Sequence, residues 1–172
     1  AVKAAGWKKP FVLAEFGPSG HWEVPKTKWG VPIEPSSREK AAAYFAAQKT
    51  LVEDAADIAL GSYCFVWGQK QETTSTWYGM FLKSGEKLPQ VDAMARAWTD
   101  KWPANRCPRV SSVESEMREA VVAPGKLCTV RADATDPDDD ALRYEWTVTA
   151  ESTDIKVGGD KERSEEHTSE LQ

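Results

Sequence analysis

A short apolar run that ends in a carboxylate constrains this chain more than any other stretch of it. Phe11-Val12-Leu13-Ala14-Glu15-Phe16 is cut off at once by Gly17-Pro18. An unbroken apolar run of this length reads as a buried parallel strand, and the glycine-proline pair ends it. A second run, Ser62-Tyr63-Cys64-Phe65-Val66-Trp67, ends in a tryptophan. Between them Ser36-Ser37-Arg38-Glu39 has the spacing of a capping box, with Ser36 as N-cap and Glu39 reaching back. The helix it opens is expected to run to about Ile58 with a stripe of Tyr44, Phe45, Leu51, Val52, Ala55 and Ala59, until Gly61 breaks it. Strand, helix and strand in that order predict a βαβ unit with parallel strands and a right-handed crossover.

The pattern then repeats. Residues 68–87 form a polar loop, and Pro89 suits the first position of a second helix, with Val91, Met94, Ala95, Trp98 and Trp102 as its buried stripe. The expected fold class is therefore α/β, with residues 1–105 as the last strand–helix units of a (β/α)8 TIM barrel. Long loops after the strands are where such barrels carry their chemistry. A whole barrel takes about 250 residues and this chain has 172, so the segment is expected to be the C-terminal part of one. A linker, Pro103–Pro108, precedes a change of composition. Leu127–Arg131 and Leu142–Val148 alternate like strands around the turn-forming Asp136-Pro-Asp-Asp-Asp140. Residues 106–160 are accordingly expected to form part of an all-β sandwich with Trp146 in its core.

The formal charge is −5, and no basic patch points to nucleic acid. No stretch approaches the roughly 20 apolar residues of a membrane span. Neither an initiating Met nor a signal peptide stands at the start, so an N-terminal part is expected to be missing. Residues 161–172 are expected to be a non-native tail, because Arg163–Gln172 look like the in-frame translation of a DNA sequencing adapter. Leaving those ten residues out moves the charge to −3 and leaves His21 as the one histidine. Cys64, Cys107 and Cys128 lack metal-ligand spacing. Cys64 reads as a small core residue, and Cys107 and Cys128 are a pair that an oxidising compartment could join.

Candidate chemistry gathers behind the two strand ends. A retaining glycosidase uses two carboxylates roughly 5–5.5 Å apart, a nucleophile and an acid/base. Glu15 stands where a nucleophile would; the alternative is a strand-end carboxylate in a structural ion pair. His21 and Trp22 follow in the next loop, His21 as a hydrogen-bonder to a sugar hydroxyl or as a local surface residue. Trp67 offers a flat platform for a pyranose, or else caps the core. Gln69, Gln71 and Glu72, with Trp77 and Tyr78, combine paired donors and acceptors with stacking surfaces, as a sugar site requires, and equally suit a solvated loop anchored by two aromatics. Glu72 is the one other carboxylate near that loop able to compete with Glu15. Asp136–Asp140 has oxygen ligands for Ca²⁺ but is also ordinary turn chemistry, the reading preferred here. No zinc spacing, phosphate loop or dinucleotide fingerprint occurs, and no cofactor is expected.

Phe11-Val-Leu-Ala-Glu-Phe-Gly17 together with Ser62-Tyr-Cys-Phe-Val-Trp-Gly-Gln69 resembles the last two barrel strands of clan A retaining glycoside hydrolases. Gly20-His-Trp-Glu-Val-Pro-Lys-Thr-Lys-Trp29, Trp67-Gly-Gln-Lys-Gln-Glu72 and Thr76-Trp-Tyr-Gly79 are similar to bacterial proteins of the glycoside hydrolase family 2 TIM-barrel type. The resemblance implies that Glu15 is the nucleophile and Trp67 the sugar-stacking residue, with carbohydrate as the partner. It also implies a parent that is periplasmic, secreted or at the cell surface. Residues 106–160 look like the Asp-Pro-Asp-Gly-Asp repeats of immunoglobulin-like or PKD-like modules, with Asp139 in place of the usual Gly. The clan's acid/base, an Asn-Glu pair ending another strand, has no counterpart here. The expectation is thus a fragment of a retaining β-glycoside hydrolase or transglycosylase that does not hydrolyse by itself. The main alternative is a non-catalytic carbohydrate-binding protein on a degenerate barrel. An aldolase-like barrel would want a Lys ending a strand, and neither strand ends in one. An adhesive protein that uses only the sandwich is the remaining alternative.

Overall fold

The computed structural model describes residues 2–148. The tail 161–172 and the end of segment 106–160 lie outside the described residues. Six regular elements follow one another: β1 (Phe11–Phe16), α1 (Ser37–Ala47), β2 (Ala59–Cys64), α2 (Pro89–Thr99), β3 (Arg109–Ser115) and β4 (Val130–Thr135). β1 and β2 pair in parallel, and β3 and β4 pair antiparallel in a separate two-stranded sheet.

This overturns the expected barrel and sandwich. Among the described residues two α-helices and four strands in two small sheets make a mixed small fold, not a strand–helix repeat. Barrel closure needs a ladder that continues from strand to strand, and among the described residues β1 and β2 pair only with each other. After α2 the chain enters β3, which turns to β4 instead of joining the first sheet. The apolar runs are also not buried on both faces. Leu13 and Phe16 pack inward, whereas Val12, Leu60 and Tyr63 are exposed. In the second sheet Val110 and Val113 are exposed, and Leu142–Val148 forms no strand beyond an isolated bridge position at its end. Trp146 is partly exposed rather than enclosed in a sandwich core.

Local signals were followed closely where capping and chain geometry act alone. Ser36 caps α1 as a complete capping box: the Glu39 N–H donates to Ser36 Oγ at 3.3 Å, and the Ser36 N–H donates to Glu39 Oε2 at 2.8 Å. The bond to Ser36 holds the Glu39 carboxyl below its ordinary value. Pro89 opens α2 as expected. The long helix expected to reach Ile58 is instead broken into α1, a π-helical turn over Gln48–Val52 and a short 3₁₀ turn over Glu53–Ala55. Within that turn the buried Gln48 accepts a 2.7 Å hydrogen bond from Ser62 Oγ of β2.

The core is small. Phe16, Tyr44, Met80 and Met94 form its centre, with Leu13, Cys64, Phe81 and Val91 packed around them. Trp98 and Trp102, expected on the buried stripe of α2, are half exposed; Gln90, Asp92, Ala93 and Met94 are the buried residues of that helix. All three cysteines are free. The Asp136 carboxylate accepts from the N–H groups of Asp138 and Asp140, the geometry of an aspartate-led turn. Asp138 in turn binds the Arg106 guanidinium. No helix among the described residues is long and apolar enough to cross a membrane.

Candidate functional site

Parallel pairing brings the carboxyl ends of β1 and β2 side by side, with Phe16 opposite Cys64 and the Phe65 N–H donating to Phe16 O at 2.7 Å. β1 can go no further, because Gly17-Pro18 turns the chain away. Gly17 lies so close to the neighbouring backbone that a Cβ there would stand 2.8 Å from Phe65 O, closer than side chains tolerate. Past Cys64 the second strand therefore loses its partner and changes neighbour. The Val66 N–H donates to Tyr78 O and the Met80 N–H to Gly68 O, so loop 68–87 folds back over the strand end. This explains why β2 ends at Cys64, before the expected Trp67.

Glu15 and Trp67 are accordingly both at this end of the sheet. Glu15 is exposed, and no hydrogen bond or ion pair is recorded for its carboxylate among the described residues. Trp67 is 60% exposed and meets Phe81 edge-on, ring centres 5.0 Å apart. Trp22, on the loop that leaves β1, is 58% exposed. Gln69 and Gln71 lie half-buried on the loop after Trp67.

The remaining expected site residues form a buried knot. Glu72 is 3% exposed; Lys70 Nζ lies 2.7 Å from its Oε2, and His21 Nε2 lies 3.7 Å from its Oε1. That second distance is too long for a hydrogen bond, so His21 Nε2 is buried without one. The His21 ring packs edge-on against Trp22 at 4.9 Å and Trp77 at 6.1 Å. Trp77 is fully buried and donates from its indole to Ser19 O at 3.0 Å. Its stacking face is thus not available to a ligand, contrary to the expected sugar contact. Lys70 also lies over the Phe65 ring at 4.8 Å and the Tyr78 ring at 5.7 Å, and burial pushes the Tyr78 hydroxyl up from its ordinary value.

A second polar knot, unexpected from sequence, anchors the same loop. Lys40 on α1 is buried and donates to Glu34 Oε1 at 2.5 Å and to Thr76 O at 2.6 Å. Glu34 also accepts from the hydroxyls of Thr74 at 2.6 Å and Thr76 at 2.8 Å. Tyr44 donates to Phe65 O from the core. Spacing alone gives one hint, because Lys40 lies one helical turn before Tyr44 on the same face. Its partners, Glu34 and Thr76, are distant in sequence. No group of His, Cys, Asp and Glu side chains among the described residues is arranged to hold a metal ion.

The arrangement separates two roles. Glu72, His21 and Trp77 shape the loops, whereas Trp22 and Trp67 are largely exposed and the exposed Glu15 carboxylate has no partner among the described residues. Such a surface can bind a sugar ring by stacking and can supply one carboxylate to it. No protein-family model and no curated protein matches this chain.

Proposed function

We propose that this chain carries the nucleophile side of a retaining β-glycoside hydrolase or transglycosylase site. Glu15 is the attacking carboxylate, and Trp67 and Trp22 are the ring-stacking surfaces. The observation that supports this most is an exposed Glu15 at the end of β1, without a side-chain partner among the described residues and flanked by the two loops that expose those tryptophans. In the reaction a Glu15 oxygen bonds to the anomeric carbon while the bond to the leaving oxygen breaks. Water or an acceptor hydroxyl then displaces Glu15 with the help of a second carboxyl group acting as base. Glu72 is unsuited to that second role, because Lys70 and its burial hold it in place. On this reading the acid/base is supplied from outside the described residues, since Glu72 was the one other carboxylate expected near the loop.

The same fact favours a second reading, a carbohydrate-binding protein without turnover. Activated fluoro-glycosides with a dinitrophenolate leaving group separate the two. Dinitrophenolate departs without acid assistance, so attack needs only the nucleophile and a seated ring. A covalent adduct on the peptide that contains Glu15, absent from Glu15→Gln, is the expected result. Oligosaccharide binding without any adduct supports the binding reading, and absence of both rejects the two together.

A further inference from the structure

A cleft of about 680 Å³ lies between the N-terminal ends of α1 and α2 and the chain that leads into β3. That is within the ~300–1,000 Å³ of small-molecule sites. It shares no residue with the surface around Glu15. Its wall includes the aromatic faces of Phe45 and the half-exposed Trp102, and four arginines border it: Arg38, Arg96, Arg106 and Arg109.

The charges are not balanced within the wall. Among the described residues Asp92 is the one carboxylate lining the cleft, and it is already engaged by Lys87 Nζ at 2.5 Å and by the Cys107 N–H at 2.6 Å. Arg96 reaches Asp100 at 3.1 Å. Arg106 donates to Asp138 Oδ1 from Nε at 2.9 Å and from Nη2 at 2.7 Å. These bonds tie the linker to the aspartate turn and hold the wall in shape. The guanidinium groups of Arg38 and Arg109 make no hydrogen bond or ion pair among the described residues, although their backbones belong to α1 and β3. A positive, partly aromatic cleft in a chain of net charge −5 favours an anion with an apolar face.

A guanidinium is a planar fork that matches a carboxylate with two parallel hydrogen bonds. An indole face takes the flat side of a ring. We propose that this cleft binds a carboxylate-bearing ring compound about the size of a disaccharide. The carboxylate is taken by Arg38 and Arg109, and the ring face by Trp102.

Calorimetric titration of the full chain with digalacturonate, a neutral digalactoside and a naphthalene carboxylate tests this. At least one of the two acids is expected to bind, at least about tenfold more tightly than the neutral sugar, with affinity falling as salt rises. Arg38→Gln and Arg109→Gln are each expected to weaken binding about tenfold. Both arginines are exposed, so circular dichroism should show the fold unchanged in each variant. Binding of digalacturonate alone identifies an acidic sugar as the ligand class; binding of the naphthalene carboxylate alone identifies an aromatic acid. Binding of neither acid, equal binding of the neutral sugar, or unchanged affinity in both variants overturns the proposal.

Discussion

Lys70 holds its ammonium 2.7 Å from the Glu72 carboxylate, which is almost completely buried. A carboxylate so placed organises its loop and is not free to move protons to a substrate. Removing its charge leaves Lys70 without its counter-ion. Glu72→Gln is expected to cost about 1–3 kcal/mol of stability, read as a lower urea midpoint with an unchanged slope. A midpoint equal to that of the parent protein would show that the pair contributes nothing net.

Lys40 makes a sharper case, because its side chain is only 1% exposed and its partner Glu34 is 21% exposed. Lys40→Met leaves a largely buried carboxylate without its cation, and the expected loss is about 3–5 kcal/mol. The double variant Lys40→Met/Glu34→Gln should recover part of that loss. Equal destabilisation by the single and double variants would mean that packing, not charge, is what Lys40 contributes.

The two tryptophans of the second loop region should separate binding from folding. Trp67 is largely exposed and Trp77 is fully buried. Trp67→Ala is expected to weaken oligosaccharide binding while changing stability by less than about 1 kcal/mol. Trp77→Ala is expected to cost about 3–5 kcal/mol. Titration calorimetry beside urea denaturation reads both effects, and a stable Trp77→Ala protein would contradict the packing described for His21 and Trp77.

Cys107 sets a limit on alkaline stability. Burial, with the nearby Asp92 charge, raises its thiol from an ordinary 9.0 to about 12. The folded protein therefore keeps a proton there that the unfolded chain loses, and between those two values the folded state binds more protons. Stability from this group is complete below 9.0 and is lost as pH climbs towards about 12. Cys107→Ser should flatten the fall of the thermal midpoint across that alkaline window. An identical alkaline slope in the variant would refute the assignment.

Legibility in the sequence followed the range of the interactions concerned. The bounds of β1, the capping box at Ser36 and the helix start at Pro89 all depend on neighbours within a few residues, and each stands where the pattern predicted it. The stripe of α2 was legible in part: Val91 and Met94 pack into the core, whereas Trp98 is half exposed and Trp102 lies past the end of the helix at Thr99. Glu72 and Trp77 were expected at a sugar because their residue types suit one. Their burial depends on Lys70, His21 and Ser19, which no spacing rule connects to them.

By itself, the sequence determined where the chain can form a strand, where a helix must begin, and that Glu15 and Trp67 follow apolar runs. Those outcomes rest on backbone geometry, capping and local hydrophobicity, all short-range. Only the tertiary structure decided that β1 and β2 pair only with each other among the described residues, and that β3 pairs with β4. It also decided that Glu72 is locked by Lys70 while Glu15 stays exposed and without a partner among the described residues. Which face is covered, and which charge finds a partner, depends on segments tens of residues apart meeting in space, such as Glu34 with Lys40 and Thr76. A strand pattern states that a surface must be covered without stating by what.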